Sequence, residues 1–89
     1  MSWKVRVDKK AARQALKLQK NIQVLFQTLL VDLATTGPVQ HEWPNYSRLT
    51  LGRYHCHLNY RYVAVWMEEN SELKIIEVTY VGSREGAPY

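Results

Sequence analysis

The segment Tyr54-His55-Cys56-His57-Leu58 alternates two imidazoles with an aromatic, a thiol and an aliphatic side chain. In an extended strand, side chains two apart share a face. His55 and His57 therefore point one way, with Arg53 one step before them, and Tyr54, Cys56 and Leu58 point the other, toward a core. Imidazole titrates near neutral pH and can take or give a proton there. RNA can be cut without a metal when its own 2′-hydroxyl attacks the adjacent phosphate. That reaction needs a base, an acid and fixed cations around the phosphate. His55 and His57 could serve as base or acid. Arg61, opening the next predicted strand, and Arg84, just after the last, could hold phosphate oxygens in bidentate fashion. Such cations would also lower a nearby histidine's pKa and keep it able to accept a proton.

Two other readings of the pair stand beside this one. Histidines on a solvated polar face are ordinary. His-x-His on a strand is also legitimate metal-ligand geometry, but a third ligand is not evident: His41 falls in a loop, and Cys56 points to the opposite face. No metal and no small-molecule cofactor is expected.

The elements that would position these residues follow from pattern. Trp3–Asp8 alternates as a short half-buried strand, and Asp8 can cap a helix starting at Lys9. Lys10, Arg13, Lys17 and Lys20, at i, i+3, i+7 and i+10, form one basic stripe, with Ala12, Ala15 and Leu16 facing elsewhere. Ile22, Leu25, Phe26, Leu29, Leu30 and Leu33 form the clearest apolar helix face, which Gly37-Pro38 ends. One helix or two could fill 9–36. Gln19-Lys20-Asn21 is the candidate break, with Asn21 as cap. The remainder reads as strands: Ser47–Leu51, Arg53–Leu58, Arg61–Met67 and Leu73–Val81. A tight turn near Asn59 and a second over Glu68–Ser71 make neighbours antiparallel. The expected fold class is α+β, with two helices covering one sheet face and the other partly open. Tyr54, Tyr60, Tyr62, Trp66 and Tyr80 interleave with basic residues and could stack on unpaired bases. Trp66 and Tyr80 read more naturally as core, and Trp43-Pro44 as a loop packed on the domain.

The 89 residues, 46% hydrophobic and 22% charged, fit one domain spanning 1–89. A chain this small has room for one core but not for a deep enclosed pocket, so an open groove suited to a polymer is expected. Net charge is +4 and unevenly spread. Residues 1–20 carry seven Lys/Arg against Asp8 alone, a balance of +6, and the rest carries −2. Such asymmetry fits an anionic partner, either nucleic acid or an acidic peptide, or else a merely solvated helix face. The single cysteine excludes an internal disulfide and a cysteine-based zinc cluster. With no targeting segment and no membrane-length apolar run, a soluble cytoplasmic protein is expected.

The chain resembles the RelE/ParE superfamily of bacterial toxins from toxin–antitoxin pairs, most closely its RelE-like branch. The likeness rests on Glu42-Trp43-Pro44-Asn45-Tyr46, His55-Cys56-His57-Leu58, Tyr62-Val63-Ala64-Val65-Trp66, and Ile75–Gly82 running into Ala87-Pro88-Tyr89. Element order agrees over nearly the whole chain. The resemblance implies a ribosome-dependent endoribonuclease that cuts mRNA by 2′-hydroxyl attack and is silenced by a cognate acidic antitoxin. It implies catalytic roles for His55, His57, Arg61, Arg84 and Tyr89. It also implies contacts between RNA and Lys10, Arg13, Lys17, Lys20 and Arg53. The sequence departs from the family where RelE itself has lysines in place of His55 and His57. Close relatives commonly carry histidine in place of Arg84 and a longer basic hairpin in place of Leu58-Asn59-Tyr60. A ParE-like gyrase inhibitor and a non-catalytic RNA- or antitoxin-binding homologue are the alternatives.

Overall fold

The computed structural model describes residues 2–50 and 52–89. Strand β1 (Lys4–Val7) leads into helices α1 (Lys9–Leu16) and α2 (Lys20–Thr36), followed by β2 (Ser47–Thr50), β3 (Arg53–His57), β4 (Tyr62–Asn70) and β5 (Ile75–Ser83). A 3-10 turn, Arg84–Gly86, closes the set. The expected strand, helical pair and C-terminal run of strands are all present. Leu51, expected at the end of the second strand, lies outside the described residues.

The sheet order is β1-β5-β4-β3-β2. Strands β2 to β5 pair antiparallel. Strand β1, however, joins β5 in parallel, Val5 opposite Ile76 and Val7 opposite Val78. The sheet is therefore mixed: the two helices carry the chain from β1 at one edge to β2 at the other, and the antiparallel run β2 to β5 steps back until β5 lies beside β1.

Asp8 caps α1 as expected, its carboxylate accepting from Ala11 N at 2.7 Å. The helix stops at Leu16, and Lys20 opens α2. Lys20 thus does not continue the helical spacing of Lys10, Arg13 and Lys17. Asn21 is not the cap. Gln19 holds that position through its backbone carbonyl, which receives Ile22 N and Gln23 N, with no side-chain cap. Packing outweighs this loss. Ile22, Phe26, Leu29 and Leu33 are buried and together contribute roughly 6–12 kcal/mol, against about 1 kcal/mol for a cap. On α1 the core contact is Ala11, while Leu16 is 79% exposed.

Gly37 ends α2 with φ +93°, and its Cα hydrogen side abuts the Trp3 indole. The Gln40 amide donates to Asp32 O, Thr36 Oγ1 and Gly37 O, satisfying carbonyls at the helix end. The following loop packs back as expected. Trp43 Nε1 donates to Asp32 Oδ2 at 2.8 Å, and the fully buried Trp66 donates to Pro38 O at 3.1 Å.

Both helices cover one face of the sheet, where Tyr54, Cys56, Ala64, Trp66, Ile76, Val78 and Val81 meet Ala11, Leu18 and the α2 residues. The opposite face carries a smaller cluster, Val63, Val65 and Tyr80, with Leu49 and Ala87 against it. Tyr80 is buried as expected but sits on this second face, because a register shift between β4 and β5 reverses the alternation. Trp66 pairs with Val78, whereas Val65 pairs with Tyr80, leaving Thr79 as the extra residue. The β4–β5 turn also falls later than expected. Strand β4 runs to Asn70, and residues 71–74 turn with Lys74 at φ +56°, so β5 starts at Ile75. Asn70 Oδ1 accepts from Leu73 N to close that turn.

Candidate active site on the open sheet face

Pairing fixes which residues share the second face. His55 lies opposite Val65 and His57 opposite Val63, and Ser47 of β2 faces His55 from the other side. The two imidazoles are neighbours, with ring centroids 5.7 Å apart. Arg53 lies two residues before His55 on the same face, half-buried and paired with Met67. His41 lies edge-on to Tyr46, and Cys56 is buried in the helix-side core. Neither converges on His55 and His57.

The two histidines differ in surroundings. His55 is 8% exposed. Its Nδ1 shares a 3.1 Å hydrogen bond with Ser47 Oγ, and the Tyr89 ring covers it at 4.5 Å between centroids. Burial, and then the neighbouring His57, push its pKa below the ordinary imidazole value, with a Ser47 backbone hydrogen bond offsetting part of the shift. His55 is thus held neutral near pH 7. His57 is more open and lines a groove of about 300 Å³ with Pro44, Asn45, Asn59, Tyr60 and Arg84. Its backbone N–H donates to Pro44 O at 2.8 Å, fastening the loop beside it.

The arginines come together through backbone contacts. Arg61 immediately precedes β4, and its carbonyl accepts from Arg84 N at 2.8 Å. Both line a second groove, of about 390 Å³, with Tyr60, Tyr62, Ser83 and Glu85. The Arg84 turn is pinned from below. The Tyr80 hydroxyl donates to Ser83 O at 2.7 Å, and Ser83 Oγ accepts from Gly86 N at 3.2 Å. Gly82 leaves room for that hydroxyl, since a Cβ there would fall 2.9 Å from it. The tail continues through Ala87, packed against the cluster of Val63, Val65 and Tyr80, to Tyr89 over His55. The Tyr89 phenol has a raised pKa, chiefly from burial and then from Cys56 and Tyr80, with Arg84 opposing, so it keeps its proton at neutral pH.

His55, His57, Arg61, Arg84 and Tyr89 are therefore gathered around one open face. Lys10 and Arg13 are exposed on α1 and Lys17 is exposed at its C-cap, in the helix layer on the opposite side of the sheet. Lys17 alone lies in a groove with Tyr62, Tyr80, Gly82 and Ser83, next to the arginine groove. Lys20 is exposed at the start of α2. Sequence reasoning missed Ser47 and Tyr80 as groups that hold the site. Ser47 becomes visible only from β2–β3 register, and Tyr80 only from the shift at Thr79.

No family model matches the chain, and no curated protein does. Solved structures do. The chain superposes on the archaeal RelE–RelB complex from Pyrococcus horikoshii with a TM-score of 0.78 at 21% identity, covering 98% of this chain and 100% of that one. The isolated RelE toxin of E. coli gives 0.75 at 18% identity, covering 98% and 89%. The YoeB–YefM complex of Staphylococcus aureus gives 0.72 at 12% identity, covering 94% and 99%.

Proposed function

Because this chain has the RelE fold and carries an imidazole–arginine cluster on its open face, we propose that it is the toxin of a type II toxin–antitoxin pair. In this reading it is a ribosome-dependent mRNA endonuclease whose partners are an acidic antitoxin, the ribosome and mRNA. The observation that carries it is the meeting of His57 with Arg84 in one groove, Arg61 adjoining and His55–Tyr89 behind.

The 2′-hydroxyl of the bound nucleotide attacks its own 3′-phosphate, forming a 2′,3′-cyclic phosphate and releasing the 5′-oxygen. His57, exposed to the groove, takes the 2′ proton. Arg61 and Arg84 stabilise the negative charge that builds on phosphate, and their planar forks suit its oxygens. Tyr89, protonated at neutral pH, donates toward the leaving oxygen. His55 is a positioning residue: neutral, held by Ser47, and packed between His57 and Tyr89. The basic side chains Lys10, Arg13, Lys17, Lys20 and Arg53 supply salt-sensitive attraction to RNA phosphates.

Induced expression is expected to arrest growth and to leave cuts in translated mRNA. His57→Ala and Arg61→Ala should each abolish cleavage, with thermal unfolding little changed, since neither residue belongs to a buried core. Intact mRNA with accumulating gyrase–DNA breaks would replace this reading with a ParE-like one. Absence of any growth effect would assign a non-catalytic homologue.

A further inference from the structure

Tyr60 is the most exposed aromatic residue among the described ones, at 75%. An exposed tyrosine alone is unremarkable, but three features set this one apart. It stands on a rigid turn, where Asn59 Oδ1 accepts from both Arg61 N (2.8 Å) and Tyr62 N (2.9 Å), and Leu58 N donates to Tyr62 O (2.7 Å). Its ring is backed by the Arg84 guanidinium, whose carbon lies 5.1 Å from the ring centroid. It also lines both grooves, the one holding His57 and the one holding Arg61.

A ligand crossing this ridge meets a flat aromatic face beside the guanidinium groups of Arg61 and Arg84. Arg61 and Arg84 outnumber the single carboxylate there, that of Glu85. A flat ring flanked by positive charge fits an unstacked base flanked by its own phosphates. Arg84 can serve both parts, stacking on Tyr60 through its planar face while its N–H edge reaches phosphate. Ordering the ring in advance also reduces the entropy lost when a base lands on it.

We propose that Tyr60, backed by Arg84, is a stacking platform for the nucleobase adjoining the scissile phosphate of single-stranded RNA. The choice of RNA as ligand rests on the nuclease reading above. The platform accounts for an aromatic residue that the chemistry of cleavage does not use. It also gives the short Leu58–Arg61 turn a role in holding substrate.

The test uses the full chain and a short 2′-O-methyl oligonucleotide, which cannot be cleaved, carrying one 2-aminopurine whose fluorescence falls on stacking. The expected result is quenching on binding to the natural protein and to Tyr60→Trp. Tyr60→Leu should bind about five- to tenfold more weakly, without quenching. An abasic site in place of the 2-aminopurine should make the natural protein and Tyr60→Leu bind equally. Unchanged affinity and quenching in Tyr60→Leu would overturn the platform, as would an equal loss on the abasic strand or no binding by the natural protein. The outcome is separable from cleavage. Quenching through Tyr60 with uncut ribosomal mRNA keeps the platform and removes the nuclease, and cut mRNA with an unquenched probe does the reverse.

Discussion

Placing a methyl group on Gly82 tests how the fold holds Arg84. The added Cβ would lie 2.9 Å from the Tyr80 hydroxyl oxygen and 3.2 Å from ring carbon Cζ. The ring cannot swing aside freely. It is 8% exposed and packed against Val63 and Val65, and its hydroxyl is bonded to Ser83 O at 2.7 Å. Gly82→Ala should therefore cost about 2 kcal/mol as an overpacked contact. Tyr80→Phe alone should cost about 0.5–1 kcal/mol, because it deletes one hydrogen bond to a carbonyl that water can reach. In the double variant the oxygen at 2.9 Å is gone and the nearest atom is the carbon at 3.2 Å. The total should then fall short of the sum by about 1 kcal/mol, beyond the 0.3–0.5 kcal/mol scatter expected for independent sites. Urea unfolding at constant m gives these differences, and each kcal/mol should move Tm by about 4–8 °C. Under the proposed nuclease function, cleavage on programmed ribosomes should drop in Gly82→Ala more than stability explains, since the displaced hydroxyl releases the Ser83–Arg84 turn. Additive costs, or a neutral Gly82→Ala, would refute the claim that Tyr80 props this turn.

The remaining expectations concern pH, backbone and thiol. His55 has a folded pKa below its unfolded one, so the unfolded chain takes up the proton first as pH falls. Stability should be full above about pH 6.5, decline as pH drops below it, and level off once the folded pKa is passed. His55→Gln should flatten that slope in pH-dependent urea melts, and an unchanged slope would deny His55 a buried neutral state. Gly37→Ala should cost about 2–4 kcal/mol by thermal unfolding, because it combines a positive φ with a Cβ 2.7 Å from Trp3 Nε1. Gly52→Ala, at φ +78° but with its nearest neighbour at 3.7 Å, should lose only about 1–2 kcal/mol. The Cys56 thiol is fully buried and its pKa is pushed up to about 12. It should resist a disulfide reagent at pH 8 in the folded protein and react at once in denaturant. Rapid reaction under native conditions would show that the β3 core face opens.

The sequence by itself determined the features that depend only on near neighbours. Strand alternation placed His55 and His57 opposite Cys56, helical spacing marked the α2 core face, and Asp8 announced the start of α1. These follow from side-chain period and capping chemistry, which act within a few residues. Their places at strand ends and the needs of a phosphate already suggested Arg61 and Arg84 as companions of the histidines, and family resemblance added Tyr89. The tertiary structure decided how they meet. The parallel docking of β1, the shift at Thr79 that turns Tyr80 to the second face, and Ser47 facing His55 are all pairings between distant segments. So is the tail that lays Tyr89 on one histidine and leaves the other open to the groove. Two imidazoles equivalent by alternation become unequal because burial depends on what packs over each, and that covering comes from the far end of the chain.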